Sequence, residues 1–486
     1  MRQEFHYHDL RSWIEQARRL GELRDVEGAS WQEDIGMATE LLHHSDPAPA
    51  ALFDAIPGYP RGYRVLTNFF GGLRRNMTLG FPAGLSKVEL SNEFIKAFQA
   101  SKPLPYTFVD DAPILENVLT GEDVNVLAFP APLWHEEDGG RYIGTGTYDI
   151  TRDPDEGWVN LGTYRVMVQD EKTVGFYISP GKHGRVHRDK YQARGEPMPA
   201  AIVVGGDPLL YLMACSEVPY GVSEYELAAG LRGQPYPVIK GRITGLPIPA
   251  AAEIVLEGYV HPTRKMPEGP FGEWTGYYAS GAREEPVLEV KAVYHRDAPI
   301  LLGCPPNRPP DEIARYRAVI RSGLLKQQLQ AAGIPGVKAV WADEVGSSRM
   351  LVAVAIEQRF PGHATQVGHV ASQCHVGAYL GKYVVVVDED IDVSNLEEVI
   401  WALLSRSDPA TSIDIIHNAW STPLDPRIPP HDRERGQFTN SRAIIDACRP
   451  FAWRDKFPKV NVPSPAVARK ARERFGYLLE GFTKKV

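Results

Sequence analysis

The stretch Glu268-Gly-Pro-Phe-Gly-Glu273, followed directly by an aromatic run that ends at Tyr278, is the centre around which this sequence is organised. Its proline fixes φ and donates no hydrogen bond, and its two glycines allow backbone angles that other residues avoid. The stretch therefore predicts a turned loop and excludes a regular helix. On such a loop the carboxylates of Glu268 and Glu273 can converge on one point.

Two interpretations of this acid pair are open from the residues alone. One is a surface turn that carries two solvated glutamates. The other is a pair of catalytic carboxyl groups. Phe271 and Trp274 supply an apolar setting, and such a setting raises the pKa of a glutamate towards the range that a general acid needs.

Six further segments along the chain carry polar residues that could belong to the same site as the acidic loop. They are Asn160-Leu-Gly-Thr-Tyr-Arg165, Lys182-His183, Ser223-Glu-Tyr225, Glu253 to Gly258, Gly381 to Asp392, and Thr422-Pro-Leu-Asp-Pro426. Together with the acidic loop, this order resembles the UbiD family of reversible decarboxylases, which use prenylated flavin mononucleotide (FMN). The resemblance covers nearly the whole chain. It departs at Thr422, where the family has serine, and at Lys182, where glutamine is frequent, so Lys182 is given no role.

The resemblance implies catalytic roles for Arg165, Glu268 and Glu273. Arg165 would join both glutamates and orient the substrate carboxylate, Glu273 would donate the proton, and Glu268 would be its hydrogen-bonding and electrostatic partner. The chemistry agrees, because a guanidinium can hold a carboxylate by two parallel hydrogen bonds and two acids near one arginine titrate as a coupled set. Without the resemblance, Arg165 is an ordinary strand residue whose stem packs across a sheet.

The resemblance also implies a divalent metal ion that bridges to the flavin phosphate, with Asn160, His183 and Glu224 as its ligands. An amide oxygen, an imidazole and a carboxylate form a hard, mixed set that suits Mn2+ or Mg2+ better than zinc. From the residues alone, each has another explanation: a turn residue, a loop histidine and a first-turn helix carboxylate. Glu226 competes for the ligand role and is assigned instead to a capping box with Ser223.

Three further residues are expected at the cofactor on the same basis. Thr145 would lie near the isoalloxazine, Lys382 would reach the flavin phosphate, and Ser216 belongs to a segment that would hold a potassium ion through backbone oxygens. The sequence contains no Gly-x-Gly-x-x-Gly or Walker A motif. That absence argues against a nicotinamide cofactor and fits a phosphate held by metal and lysine.

The composition, 486 residues of which 43% are hydrophobic, is that of a globular protein with two or three domains. A net charge of −8 without a basic tract argues against nucleic acid as a partner. No run of about 18 apolar residues could span a membrane, and the N-terminus lacks the apolar segment of a secretion signal. The four cysteines are scattered, so we expect a cytoplasmic protein.

The hydrophobic patterning predicts a mixed α/β (α+β) fold in four parts. These are an N-terminal α/β domain over residues 1–105, a β-barrel over 106–308, a linker helix over 309–335 and a C-terminal α/β domain over 336–486. The resemblance implies that the barrel is a split β-barrel that binds prenylated FMN and that the C-terminal domain mediates oligomerisation. Helices are predicted over 8–21, after 30, and over 86–99, 311–330, 364–379, 394–405 and 464–482.

The predicted function is the reversible, non-oxidative decarboxylation of an aromatic, heteroaromatic or α,β-unsaturated carboxylic acid, with CO2 as the other product. A flavin prenyltransferase would supply the cofactor, and the assembly would be a homodimer or a higher homo-oligomer. Two alternatives are a split-barrel FMN oxidoreductase and a non-catalytic subunit that keeps the fold. We expect the substrate pocket to draw on residues 305–320, 361–370 and 426–430. The polar residues His363, His369 and Arg427 in these segments favour a heteroaromatic or phenolic acid.

Overall fold

The computed structural model describes residues 3–45, 47–216, 218–279 and 281–479. The N-terminal part alternates helices and short strands. Its elements are α1 (Leu10–Arg19), β1 (Leu23–Glu27), α2 (Asp34–His43), β2 (Ala50–Asp54), β3 (Arg64–Thr67), α3 (Gly72–Thr78) and α4 (Lys87–Ala100).

The central part is rich in strands, with three helices among them. Its elements are β4 (Thr107–Phe108), β5 (Asn117–Thr120), β6 (Tyr142–Gly144), β7 (Thr147–Arg152), β8 (Val159–Gly162), β9 (Val166–Met167), β10 (Thr173–Gly175), α5 (His183–Ala193), β11 (Met198–Val204), α6 (Pro208–Ala214), α7 (Glu224–Arg232), β12 (Pro237–Lys240), β13 (Pro247–Pro249), β14 (Ile254–Glu268), β15 (Arg283–His295) and β16 (Ile300–Leu302).

A long helix leads into the C-terminal part. The elements there are α8 (Glu312–Ala331), β17 (Val337–Ala342), β18 (Leu351–Ile356), α9 (His363–Gln373), α10 (His375–Ala378), β19 (Tyr383–Asp388), α11 (Leu396–Arg406), β20 (Ile413–Trp420), α12 (Pro430–Glu434), β21 (Thr439–Ala447) and α13 (Pro465–Phe475). The predicted helix over 364–379 is thus two helices, which meet at Cys374. Residues 480–482 of the predicted tail helix lie outside the described residues.

The N-terminal sheet has four strands in the order β1-β2-β3-β16. Strand β16 falls within the range predicted for the central domain, yet it pairs in parallel with β3 of the first domain. The chain therefore returns to the N-terminal sheet just before α8 begins. This return brings the segment around Cys304 and Pro306 to the junction of all three parts.

The central sheet is antiparallel, in the order β10-β15-β14-β11-β7-β8, with β5 added on the outer side of β15. Its two longest strands, β14 and β15, are interrupted by bulges. At one of them a side chain on Gly258 would lie 1.9 Å from the carbonyl oxygen of Glu289, so that only glycine fits. Strand β14 ends at Glu268, which places the first acid of the loop at the end of a rigid element.

Two predicted strands are broken in ways that matter for the site. The segment 142–148 divides into β6 and β7, and the segment 161–168 divides into β8 and β9. The breaks leave Thr145 and Arg165 in irregular backbone beside the sheet. Their side chains can therefore depart from the alternation that a regular strand imposes.

The C-terminal sheet has the order β17-β18-β19-β21-β20, with the three central strands parallel. Helices α9 and α11 both pack against β19 and β21. Their buried residues belong to different hydrophobic clusters, so the two helices cover opposite faces of the sheet. The mixed α/β fold with a linker helix is confirmed. None of the described helices combines the length and apolarity that crossing a membrane would require.

The capping box predicted at Ser223 and Glu226 is wrong. Helix α7 does begin at Glu224, but the hydroxyl of Ser223 makes no capping hydrogen bond. The backbone N–H of Glu226 donates instead to the carbonyl oxygen of Ser223 over 3.1 Å, so the donor that the hydroxyl would cap is already satisfied. A capping box does form on α4, between Ser86 and Glu89.

Helix α8 fixes the N-terminal part against the C-terminal part. Asp311 caps it by accepting the N–H of Ala314 over 2.7 Å. Where α8 crosses α4, a Cβ on Gly323 would lie 3.0 Å from both the Cβ of Ile95 and the carbonyl oxygen of Ser91. The two helices therefore approach as closely as a glycine permits.

Replacement of Gly323 by leucine is expected to lower the free energy of unfolding by about 1–3 kcal/mol, because the added side chain overpacks the contact between α4 and α8. Thermal and denaturant unfolding measure the loss. The matched control is Gln330→Leu, which adds an apolar side chain at an exposed position of the same helix. Equal stability of the two variants would contradict the close contact.

Candidate active site

One cavity of about 370 Å³ lies where the central domain, α8 and the C-terminal domain meet. Its walls combine aromatic side chains with arginines, histidines and two carboxyl groups, the composition expected of a ligand site. The lining residues are Gly144, Thr145, 160–165, Tyr177, 179–183, Tyr211, 214–216, Val218, Glu224, Phe271, Glu273, Trp274, Cys304, Pro306, Ile313, Tyr316, Arg317, Arg349, His375, Tyr379, Trp420 and Leu424.

The guanidinium of Arg165 joins the two glutamates of the acidic loop. Its Nη1 donates to Glu273 Oε1 over 2.5 Å, and its Nη2 donates to Glu268 Oε2 over 2.7 Å. The other oxygen of Glu268 accepts the hydroxyl of Tyr142 over 2.9 Å. The sequence prediction that the two acids converge on one point is thus met, with Arg165 as that point.

The three charged side chains are shielded from water to different extents. Glu268 is 2% exposed, while Arg165 and Glu273 are 10% and 12% exposed. The guanidinium of Arg165 also lies 4.8 Å from the ring centre of Tyr177 and 5.5 Å from that of Phe271. Aromatic rings on a cation and carboxylates at its edge hold the guanidinium in one orientation.

Burial raises the pKa of Glu273 above its ordinary value, and the negative charge of Glu268 raises it further. The positive charge of Arg165 acts in the opposite direction without cancelling these effects. The pKa of Arg165 is raised because the attraction of both carboxylates outweighs the effect of its burial. The arrangement therefore favours a proton on Glu273 and a permanent positive charge beside it.

The acidic loop is held against the segment that precedes β6. The N–H of Gly139 donates to the carbonyl oxygen of Pro270 over 2.7 Å. A Cβ on Gly139 would lie 2.0 Å from the carbonyl oxygen of Gly269, which itself has a φ of 87°. Glycine is therefore required at both positions. Residue 139 has no space for a side chain, and residue 269 adopts a backbone conformation that other residues avoid.

A chain of buried hydrogen bonds continues from the loop into the N-terminal domain. Asp138 accepts the N–H of Gly272 over 3.1 Å and the Nδ1–H of His135 over 3.1 Å. The other ring nitrogen of His135 donates to Asn307 Oδ1 over 2.5 Å, and Asn307 Nδ2 donates in turn to His43 Nδ1 over 2.9 Å. Burial lowers the pKa of His135, but the carboxylate of Asp138 more than offsets this, so the pKa is raised overall.

The predicted metal ligands Asn160, His183 and Glu224 all line the cavity. Glu224 Oε2 accepts the N–H of Leu161 over 2.7 Å, which places this carboxyl group beside the backbone of Asn160. The amide nitrogen of Asn160 donates to Tyr164 Oη over 3.3 Å, which leaves the amide oxygen for another partner. The side chains are thus brought to one cavity, although their role as ligands stays a prediction.

The electrostatics of this set fit a cation. Burial raises the pKa of Glu224 to about 8, because hydrogen bonds from the backbone do not compensate the loss of water. Burial lowers the pKa of His183, which favours the neutral imidazole that a metal ion requires. Within the described ranges, no group of three His, Cys, Asp or Glu side chains could hold a metal. A metal ion at this place would therefore also need the amide of Asn160 and oxygens that a cofactor would bring.

Of the three other residues predicted to contact the cofactor, two lie at the cavity and one does not. Thr145 and Ser216 line the cavity. The hydroxyl of Thr145 accepts the N–H of Cys304 over 3.0 Å. Lys382 does not line it, and its ammonium group donates to Asp425 Oδ1 over 2.8 Å. The contact of Lys382 with a flavin phosphate stays a prediction.

The three residues expected to make the pocket polar are not among those that line it. His363 is buried at the start of α9 against Phe360, and His369 pairs with Asp414 on the exposed side of that helix. The preference for a heteroaromatic or phenolic acid loses this support, and Arg427 adds none. Arg317, Arg349 and His375 line the cavity instead, from α8 and from the C-terminal domain.

Comparison with known proteins agrees with this geometry. Residues 107–309 match the family model described as the 3-octaprenyl-4-hydroxybenzoate carboxy-lyase Rift-related domain, and residues 316–447 match the C-terminal domain of the same carboxy-lyase. The chain is 30% identical to the pyrrole-2-carboxylic acid decarboxylase of Pseudomonas aeruginosa over 457 residues, which cover 91% of each chain.

Two solved structures are similar over almost the full length. The vanillic acid decarboxylase of Sedimentibacter hydroxybenzoicus in open form has a TM-score of 0.84 at 31% identity, covering 98% of this chain and 99% of that one. An evolved dimeric form of the UbiD-class enzyme HmfF from Pelotomaculum thermopropionicum, in complex with prFMN, has a TM-score of 0.79 at 27% identity, covering 94% and 97%. This chain belongs to the UbiD family of carboxy-lyases.

Replacement of Gly139 by alanine is expected to displace the acidic loop, because the new methyl group would meet the carbonyl oxygen of Gly269. A shift of about 1 Å at a reacting group costs about 100-fold in rate, so turnover should fall by that order. Hydrogen exchange of residues 268–273 and steady-state kinetics measure the effect.

The matched control is Gly281→Ala, which follows the acidic loop in the chain and has no atoms within 4 Å of the new Cβ. It should behave like the unchanged protein. A Gly139→Ala variant with unchanged exchange and turnover would contradict the requirement for glycine at this contact.

Proposed function

We propose that this protein catalyses the reversible, non-oxidative decarboxylation of an aromatic, heteroaromatic or α,β-unsaturated carboxylic acid with prenylated FMN as cofactor. The observation that carries the proposal is the pairing of Arg165 with both Glu268 and Glu273 at the wall of the cavity. HmfF, a structural relative, is known in complex with prFMN. The aromatic walls of the cavity suit a flat substrate.

Side chains that could hold the cofactor lie on several sides of the cavity. Asn160, His183 and Glu224 would bind Mn2+ or Mg2+ at the phosphate, and Thr145 would lie near the ring system. Backbone oxygens at Ser216 would hold K+. The cofactor supplies the electron sink that no protein side chain offers when CO2 leaves an unsaturated carbon. Lys382 would have to exchange Asp425 for the phosphate to take part.

The residues of the protein handle the carboxylate and the proton. The substrate carboxylate is directed towards Arg165, whose Nε–H is buried and donates to no acceptor among the described residues. The bond from carbon to the carboxylate breaks, CO2 leaves, and the carbon takes a proton in its place. Glu273 donates this proton, since its pKa is raised, and later recovers one from water.

The two other functions fit the site less well. A split-barrel FMN oxidoreductase has no use for two buried carboxyl groups on one arginine, because hydride transfer requires neither. A non-catalytic subunit would not need a buried acid with a raised pKa, which is a cost to stability without a function. Both explanations leave the acidic loop without a purpose.

The assembly and the compartment follow from other parts of the chain. We propose a homodimer or higher homo-oligomer through the C-terminal domain, since none of the described residues of α13 is buried within its own chain. A flavin prenyltransferase would supply the cofactor. The four cysteines are free thiols, which supports a cytoplasmic location.

Replacement of Glu273 by glutamine is expected to lower turnover of aromatic acids by at least ~100-fold, because a positioned general acid contributes about that much. Release of CO2 from a panel of aromatic and cinnamic acids by the protein loaded with prenylated FMN is the measurement. Glu284→Gln, at an exposed position of β15, is the matched control. Undiminished turnover in Glu273→Gln would contradict the proposal. So would a parent protein that holds intact prenylated FMN and yet releases CO2 from none of the acids.

The rate of decarboxylation should decline at alkaline pH as Glu273 loses its proton. The charge of Glu268 raises the pKa of Glu273, and the charge of Arg165 lowers it. The variant Glu268→Gln loses the negative charge that raises this pKa and keeps the positive charge of Arg165 that lowers it. The pKa of Glu273 should therefore fall, and the decline in kcat at alkaline pH should begin at a lower pH. A pH profile of kcat measures the shift. A limb that stays in place or moves to higher pH would contradict the assignment of Glu273 as the acid.

A further inference from the structure

Arg317 is a cavity residue that no part of the proposed reaction uses. It lies on the first half of α8 and is partly buried. Its guanidinium carbon lies 5.8 Å from the ring centre of Trp274 and 5.8 Å from that of Tyr316. Among the described residues, none accepts a hydrogen bond from its nitrogens or forms an ion pair with it, and its Nε is buried.

The neighbouring arginines of the same helix are satisfied. Arg315 donates to Asn68 Oδ1 over 3.3 Å and to the carbonyl oxygen of His43 over 2.5 Å. Arg321 donates to the carbonyl oxygens of Ser348 and Val376. Arg317 therefore differs from both in presenting its charge to the cavity rather than to the protein.

A guanidinium in such a place needs a counter-charge. A buried cation without a partner is costly, and aromatic rings compensate only a small part of that cost. A neutral hydroxyl group would leave the charge uncompensated, whereas a carboxylate would neutralise it through two parallel hydrogen bonds. The geometry around Arg317 thus favours an anionic group over a polar, uncharged one.

Arg317 and the acidic loop act within one cavity. The positive charge of Arg317 lowers the pKa of Glu273, so the two side chains are close enough for their charges to interact. Arg165 is already engaged by two glutamates on its Nη atoms and has Nε remaining. Two guanidinium groups with unused donors therefore face one aromatic-walled space.

We propose that Arg317 binds a second carboxylate of the substrate, so that the preferred substrate is an aromatic or heteroaromatic dicarboxylic acid. One carboxylate is directed to Arg165 and is lost as CO2, and the other stays on Arg317 and remains in the product. The substrate ring lies between them, near Trp274. This inference rests on the proposed decarboxylase function for the fate of the first carboxylate, but the binding of the second does not require turnover.

The test is equilibrium binding to protein loaded with FMN, measured by isothermal titration calorimetry. The probes are benzoate, 4-hydroxybenzoate and the three benzene dicarboxylates. The parent protein should bind the best dicarboxylate at least ~10-fold more tightly than benzoate or 4-hydroxybenzoate, since a buried charge pair contributes at least that factor. In Arg317→Met, which keeps an apolar stem against Trp274, this preference should fall to within ~2-fold, with the affinity for benzoate unchanged.

Two further variants keep the result interpretable. Arg317→Lys retains the charge without the paired donors and should retain only part of the preference. Lys326→Met removes a charge from the same helix at a position that does not line the cavity and should bind all probes like the parent. FMN affinity is measured for each variant, and Arg317→Met should keep that of the parent.

Several outcomes would overturn the proposal. Equal affinity of the parent for benzoate and the dicarboxylates would do so, as would 4-hydroxybenzoate binding as tightly as the best dicarboxylate. An equal loss for all probes in Arg317→Met would assign this residue to the reacting carboxylate, and a loss of FMN affinity would assign it to the cofactor. Dicarboxylate binding to the FMN-loaded protein, together with no decarboxylation of that acid by protein loaded with prenylated FMN, would instead refute the proposed function and leave the subsite standing.

Discussion

The ion pairs of Arg165 with Glu268 and Glu273 are the constraint on which the rest of the site depends. Two carboxylates that approach each other away from water repel, and each is costly to bury. A guanidinium between them makes their convergence possible, with donors at 2.5 Å and 2.7 Å. Because one positive charge faces two potential negative ones, the balance favours a proton on Glu273, and this is the feature that allows acid chemistry.

The supporting structure is arranged to keep this group in place. Strand β14 delivers Glu268 at its end, and the contact with Gly139 fixes the turn that follows. The hydrogen bonds through Asp138, His135 and Asn307 tie the same turn to the N-terminal domain. The central part, α8 and the C-terminal part thus line one cavity, and the N-terminal part supports the acidic loop from behind. These contacts hold the loop residues of the site in place.

The sequence predicted the parts of the site that depend on local pattern or on family resemblance. The turned loop, the convergence of its acids and the gathering of Asn160, His183 and Glu224 in one cavity all agree with the structure. The segment 305–320 was expected at the pocket, but Arg317 was not singled out, because only the tertiary structure reveals that this arginine lacks a partner. His363 and His369 were wrongly expected at the pocket. Their segment was placed there from the sequence, but the direction in which each side chain points depends on how α9 packs, which the sequence does not show. The capping box at Ser223 failed because the backbone carbonyl satisfied the donor first.

The central claim is that this fold holds prenylated FMN as the electron sink for decarboxylation. The most direct measurement is the mass of the cofactor released from protein co-expressed with a flavin prenyltransferase. The account predicts a flavin heavier than FMN by the prenyl-derived addition, accompanied by a divalent metal ion in the purified protein. Unmodified FMN, or protein without flavin, under the same co-expression would contradict it.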